Sequence, residues 1–196
     1  MSFRDADRAV TVQIGAIILL GFLVVSLSLY QATVVPDQNR RVEFEHNQRV
    51  QADIQEVRNA IHRTAGAGTS APVSVELGTS YPSRVVAVNP GAPSGTLSTS
   101  DLGAIEVRNA TADNPETTDP DYPETDDFWN GSTHTYPTKS LTYQPSYANY
   151  GNAPTTVYEN GIVYNRFRSG DVARTGQPIV AGRQISLVAL SGSLSR

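Results

Sequence analysis

A run of 27 residues without a charged side chain, residues 9–35, constrains this chain more than any other feature. As a helix rising about 1.5 Å per residue, the run reaches about 40 Å, enough to cross a bilayer hydrocarbon core of about 30 Å with some tilt. It exceeds the apolar stretch of about 7–15 residues in a cleaved signal peptide, and residues 30–33 offer a poor cleavage site after it. A buried core helix does not need so long an uncharged stretch. We therefore expect a retained membrane segment.

Composition and charge argue against several classes of function. The 196 residues include no Cys, which removes disulfide frameworks, thiolate metal sites and Cys nucleophiles, and only three His. A net charge of −4 argues against a nucleic-acid partner. Lys139 is the single lysine among 15 basic residues, while acids number 19. An acidic, lysine-poor surface favours a halophilic source, although high genomic GC content also favours arginine.

The residues before and within the start of the apolar run form a recognisable pattern, DRAVTVQIG at residues 7–15. It resembles the processing region of haloarchaeal type IV pilin-like proteins. The resemblance implies that a prepilin peptidase cuts between Ala9 and Val10, with Arg8 as the basic residue before the small one. Bacterial pilins usually carry a Glu early in the mature helix, and residues 10–14 have none. A plain uncleaved signal anchor, which needs only the apolar run, stays open as the alternative.

A second helical pattern follows the apolar run. Pro36 should interrupt or kink the helix, and Asp37 can cap a new start. Gly66 supplies a stop, so we expect this helix to end near Thr64. Its apolar positions recur at spacings of four, three and four: Val50, Ile54, Val57 and Ile61. Four positions are too few for an independent coiled coil, so we expect the stripe to pack on the protein's own β domain.

The remainder of the chain has β character. Residues 72–77, 83–88 and 102–107 are β-rich runs. Asn160-Gly161 between two short apolar runs is a strong hairpin signal, because both residues tolerate positive φ. Residues 178–190, broken at Gly182, predict another hairpin or a bent strand. We expect an α+β fold, in which a long N-terminal helix with a kink near Pro36 precedes a mainly antiparallel β head of six or seven strands.

The predicted organisation combines these patterns with the resemblance. It comprises a prepilin-type leader at 1–9, a transmembrane or filament-core helix at 10–35, an amphipathic helix at 36–66, and a β-rich extracellular head at 67–196 with an acidic loop at 109–138. The chain stops directly after an apolar strand, which leaves a natural end and a truncated longer protein both open.

The acidic loop holds seven acids with neither Lys nor Arg, and four prolines disfavour regular structure there. Its close-spaced carboxylates are weak calcium candidates: Asp119, Asp121, Asp126 and Asp127. The loop lacks the frame of an EF-hand, so a solvated loop is the favoured interpretation. Asn109 and Asn130 each begin a glycosylation sequon in this region, which favours an extracellular location.

Searches for catalytic patterns nominate no catalytic residues. The chain has no G-x-S-x-G elbow, no P-loop and no H-E-x-x-H helix, and acid pairs alone do not identify a glycosidase. We expect no cofactor and no firm metal site, and we expect His46 and His62 to be solvated or amide-bonded. Aromatic residues are enriched in the later half, where cross-strand packing is favoured over an exposed glycan- or protein-binding face.

We therefore expect a non-catalytic, membrane-anchored surface protein, a pilin-like structural or minor subunit of an archaeal filament. Its expected partners are the membrane, a prepilin peptidase, and copies of itself or other pilin-like subunits, with no nucleic acid. The alternative is a monomeric single-pass envelope protein whose β domain binds a ligand or partner, and a secreted or anchored hydrolase is a third. Arginines lie on both sides of the span, so charge alone does not fix its orientation.

Overall fold

The computed structural model describes residues 3–112 and 128–196, with side chains described from residue 11. Helix α1 (Phe3–Leu29) passes through a π-helical turn (Tyr30–Val34) into helix α2 (Val35–Thr64). An antiparallel sheet follows, which confirms the α+β fold expected from the sequence.

Seven strands occur in the described part of the chain. Five form one sheet in sequence order, and the last two form a separate hairpin. Their bounds are β1 Ser94–Val107, β2 His134–Ser146, β3 Thr155–Glu159, β4 Ile162–Phe167, β5 Gly170–Ala173, β6 Val180–Ala181 and β7 Gln184–Ile185. The β2–β3, β3–β4 and β4–β5 pairs are antiparallel, with Leu141 opposite Tyr158 and Val157 opposite Tyr164.

The junction between the two helices is a π turn rather than a break. The Val35 N–H donates to the Tyr30 carbonyl, five residues back, immediately before Pro36. Proline lacks an N–H and its ring clashes with the carbonyl four residues back, and the wider π turn accommodates both effects. Asp37 is not an N-cap as predicted, because Leu29 and Val35 on either side of the turn both have right-handed helical dihedrals. It lies instead inside the first turn of α2.

The buried face of α2 is partly the predicted apolar stripe. Val50 and Ile54 are fully buried, whereas Val57 and Ile61 are half-buried. Toward the N-terminus of α2 the same face continues with buried polar residues that the apolar pattern does not include: Asn39, Glu43, His46, Asn47 and Gln51. The helix ends at Thr64 as predicted, and Gly66 follows with φ +77°.

Two predicted hairpins are confirmed. Glu159 pairs with Ile162 across the Asn160-Gly161 turn, where φ is 47° and 84° respectively. Positive φ at both central residues matches the right-handed twist of the flanking strands. The β6–β7 hairpin turns at Gly182 (φ 62°). It is much shorter than the predicted run of residues 178–190.

Three other local predictions are wrong. Residues 72–77 run without ladder pairing, and residues 83–88 form a loop with a bend rather than a strand. The acidic loop does not extend to residue 138, because β2 begins at His134 and includes Pro137. Pro137 precedes Leu141, where the pairing of β2 with β3 begins, so that pairing does not need an N–H at residue 137. The run at 102–107 is confirmed as part of β1.

The chain divides into two compact units. The first consists of Met1–Gln51, Glu76–Gly95 and Pro145–Ala153, and its buried residues are largely the polar face of α2. The second consists of Ala52–Val75, Thr96–Gln144 and Pro154–Arg196. Its buried hydrophobic residues are Ile54, Ala60, Leu97, Leu141, Tyr143, Val157, Tyr158 and Val163, and four polar residues are buried with them, Thr138, Ser140, Thr156 and Asn165. In the second unit the Arg58 Nε donates to the Gly161 carbonyl at 2.8 Å, which joins α2 to the β3–β4 turn.

Candidate functional site

Helix α1 exposes an apolar surface from residue 11, where its described side chains begin, to its end at Leu29. Every side chain at residues 11–29 is exposed, including Phe22 at 73%, Val12 at 72% and Leu19 at 71%. Covering apolar surface gains about 25 cal/mol per Å², and monomeric soluble proteins rarely leave patches larger than a few hundred Å² uncovered. This surface is therefore suited to an apolar environment rather than to water.

The length of this segment matches a membrane. Residues 11–29 rise about 28 Å as a helix, close to the hydrocarbon thickness of about 30 Å. Within the described residues, the continuous helix Thr11–Thr64 is long and apolar enough to cross a membrane, and its most apolar window is 0% buried. Signal sequences near an N-terminus can also be this apolar, so length and hydropathy by themselves identify only a candidate span.

Hydroxyl groups near the end of the apolar segment are bonded within the helix. The Ser28 hydroxyl donates to the Val24 carbonyl at 2.8 Å, and the Thr33 hydroxyl donates to the Leu29 carbonyl at 2.8 Å. Lipid tails offer no hydrogen-bond partners, so a polar group facing them must be satisfied by its own chain. Both hydroxyls meet that requirement and are compatible with a lipid environment.

A second feature of the first unit is the fully buried carboxyl group of Glu43. It accepts hydrogen bonds from the backbone N–H groups of Ala148, Asn149 and Tyr150. It also accepts the Tyr81 hydroxyl. All these partners are donors, which matches the acceptor-only chemistry of a carboxylate. The carboxyl group therefore connects α2 to residues 148–150 and to Tyr81.

This carboxyl group has the chemistry of a structural anchor. Its Oε1 and Oε2 both point to donors from residues 148–150, with distances of 2.9 Å to the Ala148 N and 2.8 Å to the Asn149 N. Burial raises the pKa of the Tyr81 hydroxyl, and its hydrogen bond to Glu43 raises that pKa further. A tyrosine that keeps its proton remains a donor to the carboxylate.

The two helix histidines have different environments. His46 is fully buried rather than solvated: its Nδ1 lies 2.7 Å from the Tyr147 hydroxyl and its Nε2 lies 3.0 Å from the Glu76 carbonyl. The carbonyl contact agrees with the expected amide bonding. His62, in the second unit, is half-buried, and its Nε2 atom is buried without a hydrogen-bond partner. In the described part of the chain, no group of three or more metal-ligating side chains is placed to hold a metal ion.

The two predicted sequons lie side by side in the second unit. Thr111 and Asn130 form an isolated antiparallel bridge, and the Gly131 N–H donates to the Ala110 carbonyl at 2.9 Å. Asn109 (φ 55°) and Asn130 are both exposed. The Asn130 side-chain oxygen accepts the Ser132 N–H at 3.0 Å. Sequence reasoning did not predict that the two sequons would be neighbours.

The other predicted site residues are less fully described. Arg8, Ala9 and Val10 lie on the helical backbone of α1, before the described side chains begin. The four calcium candidates, Asp119, Asp121, Asp126 and Asp127, lie outside the described residues.

The aromatic residues divide between packing and exposure. Tyr143 and Tyr158 are fully buried in the second unit, in agreement with cross-strand packing. Phe128 is 47% exposed and stacks on His134 with ring centroids 4.3 Å apart, and Trp129 meets both rings edge-on. This small aromatic cluster adjoins the Asn130 sequon.

Comparison with known proteins finds a distant archaeal relative. The chain is 31% identical over 161 residues to an uncharacterised protein of Archaeoglobus fulgidus, an archaeon, and the match covers 80% of this chain. The chain spans only 25% of the length of that relative. No protein-family profile matches the chain. No solved structure matches it either.

Proposed function

We propose that this chain is a non-catalytic protein anchored in the cell membrane by residues 10–35, with its β-rich part outside the cell. The exposed apolar surface of α1 carries this proposal, because water is a poor solvent for it. Two environments can cover such a helix, a bilayer or a bundle of similar helices. A membrane protein that later assembles into a filament uses both in turn.

We propose further that the chain is a pilin-like structural or minor subunit of an archaeal surface filament. The Arg8-Ala9-Val10 pattern at the start of the apolar run supports this, and so does the archaeal source of the relative. In a filament, the helices would leave lipid and pack against each other. Gly15 and Gly21 favour close approach because they carry no side chain that would hold a neighbouring helix away. The space beside both residues is open, since a Cβ built at either position has nothing within 4 Å.

The proposed orientation places the C-terminal part outside. Its support is the exposure of Asn109 and Asn130, since N-glycans are added to sequons on the outer side of the membrane. If this orientation holds, peptides that contain these two residues from native cells should carry glycans, which mass spectrometry of the protease-digested protein can detect.

The mature N-terminus of the protein from native membranes tests the processing step. We expect mass spectrometry to find a chain that begins at Val10. The Arg8→Ala variant should accumulate as unprocessed precursor, because the resemblance assigns this arginine to the recognition site. Arg4→Ala is the matched control, since it removes the same charge four residues earlier, and it should be processed normally.

The alternatives predict other N-termini. A chain that begins at Met1 or Ser2 would support the single-pass envelope protein and contradict the pilin-like proposal. A chain that begins beyond residue 33 would have lost the apolar segment, and this result would contradict membrane anchoring itself.

A further inference from the structure

A loop in the first unit exposes three valines. Its base is closed where Gly78 bridges Ser94 and the Thr79 N–H donates to the Pro93 carbonyl at 3.0 Å. Residues 82–89 form its tip, which we call the valine loop. Val85 is fully exposed, and Val86 and Val88 are 69% and 76% exposed. Residues 85–88 carry no charge, so the tip is an apolar protrusion.

Arg84 ties the valine loop to the helix. Its guanidinium donates to the Tyr30 hydroxyl at 3.2 Å, the Gln38 side-chain oxygen at 2.7 Å and the Asn39 side-chain oxygen at 3.1 Å. It also donates to Asn89 within the loop at 2.9 Å. The positive charge is therefore directed toward the helix and away from the valines.

Gln31 fixes the height of the loop along the helix. Its side-chain amide donates to the Val88 carbonyl at 2.9 Å and accepts the Val88 N–H at 2.9 Å. The Asn89 side chain donates to the Pro82 carbonyl at 2.9 Å, which closes the tip on itself. Backbone groups near lipid need such partners, because hydrocarbon offers none. The tip thus lies beside the π turn with its main-chain groups at Val88 and Pro82 satisfied.

The π turn lies at the level where a membrane surface is expected. The exposed apolar residues 11–29 already rise about 28 Å, close to a hydrocarbon core of about 30 Å, so residues 30–35 at the end of the uncharged run fall near the headgroups. Tyr30, with an apolar ring and a polar hydroxyl, is of the type enriched at that boundary. The valines are held beside this level by the contacts of Gln31 and Arg84.

We propose that the valine loop is a second membrane contact, in which Val85, Val86 and Val88 insert at the boundary between lipid headgroups and acyl chains. The occupant of the apolar tip is then a lipid surface, because the tip continues the exposed apolar surface of α1 at its membrane-boundary end. The inference rests on the proposed insertion of α1. With a rigid second contact beside the helix, the first unit would be held at a fixed height on the bilayer instead of pivoting about one helix.

Single-cysteine labelling of the full chain tests this contact, and the absence of native Cys makes each label unique. Val85→Cys, Val86→Cys, Val24→Cys and Gln48→Cys are labelled with a polarity-sensitive fluorophore and reconstituted at one copy per lipid nanodisc. The lipids carry a nitroxide quencher either near the headgroup or near the chain end. Gln48, exposed and about 25 Å along the helix from Gln31, serves as the water-exposed control.

The expected result is a blue-shifted emission at positions 85 and 86 that the headgroup quencher reduces more than the chain-end quencher. The label at Val24 should respond more to the chain-end quencher, and the label at Gln48 to neither. Because Val85 and Val86 are exposed, both substitutions should leave the fold intact, which far-UV circular dichroism checks.

Other outcomes overturn the inference in distinguishable ways. Labels at 85 and 86 that remain in water while the Val24 label lies in lipid would remove the loop contact and leave the membrane anchor standing. Labels that are blue-shifted but quenched by neither lipid would show that protein covers the loop instead. A Val24 label in water would overturn the proposed anchoring, and the loop contact with it.

Discussion

The two halves of the long helix reverse the usual relation between polarity and burial. In α1 the apolar side chains are exposed, such as Leu19 at 71% and Val24 at 55%. In the first half of α2 the fully or almost fully buried side chains are largely polar, with Asn39, Glu43 and His46 each at 0%. A single π turn, within the first unit, connects the exposed apolar helix α1 to the buried polar face of α2.

The difference shows that two separate physical requirements shape one continuous helix. The first half exposes apolar side chains on every face, so in the proposed membrane its composition matters more than which face a residue occupies. The second half has to specify a particular arrangement of loops, and hydrogen bonds to a buried acid do this with strict geometry. A buried polar group is costly unless its partners are in place, so an alternative loop conformation would be penalised.

Of the changes that test this comparison, removing the buried acid Glu43 should lower the free energy of unfolding most. Glu43→Ala leaves the N–H groups of residues 148–150 without their acceptor, so we expect a loss of about 3–5 kcal/mol in the free energy of unfolding. Glu43→Gln keeps one acceptor oxygen and should cost less, about 2 kcal/mol. Denaturant unfolding of the full chain in detergent, monitored by near-UV circular dichroism, measures both losses.

Hydrogen exchange gives a local test of the same variants. In Glu43→Ala the amides of Ala148, Asn149 and Tyr150 should lose protection. The matched control is Glu45→Ala, which removes an exposed acid two residues along the same helix. It should change neither stability nor exchange. If residues 148–150 stayed protected without Glu43, the carboxyl group would not be what orders them.

A matched pair of valines tests the two halves directly. Val50 is fully buried in α2, whereas Val24 is 55% exposed in α1. We expect Val50→Ala to lower the free energy of unfolding by about 1–3 kcal/mol through lost contacts and a small cavity. Val24→Ala should stay within about 0.5 kcal/mol of the parent. Equal losses at the two positions in detergent unfolding would show that α1 packs on the rest of the chain.

The sequence predicts those features whose cause is local. The helix end at Thr64 follows from Gly66, and the β3–β4 turn follows from Asn160-Gly161, because backbone conformation at these residues is a property of the residues themselves. The apolar run is equally visible, since 27 uncharged residues need no partner to be recognised. These features establish the order of elements and the candidate span.

The buried polar face could not be predicted in the same way. Asn39, Glu43 and Asn47 recur every four residues, a pattern that also describes a solvated helix face. The partners of Glu43 lie 38 residues away at Tyr81 and 107 residues away at Tyr150. The failed strand at residues 83–88 has a similar cause, because β-branched residues favour a strand until the long-range contacts of Arg84 hold them in a loop.

The smallest expected effect is a loss of stability at alkaline pH, caused by deprotonation of Tyr81, which contacts the polar half of the helix at Glu43. An unfolded tyrosine loses its proton near pH 10, whereas burial and the bond to Glu43 raise the pKa of Tyr81 in the folded protein. Above pH 10 the unfolded state therefore binds fewer protons than the folded state, and stability falls as pH rises. Burial also raises the pKa of Tyr158 and of Tyr164, so these residues add to the same fall.

Tyr81→Phe separates the contribution of Tyr81 from theirs. The variant should be less stable at neutral pH, because Glu43 loses a donor, but its stability should fall less steeply above pH 10 than that of the parent. Glu43→Gln should also make the fall shallower, since the charge that helps to keep the Tyr81 proton is gone. Denaturant unfolding from pH 8 to pH 11 measures both slopes. If Tyr81→Phe retained the slope of the parent, the hydroxyl would not be coupled to folding, and the buried acid would depend on its backbone donors alone.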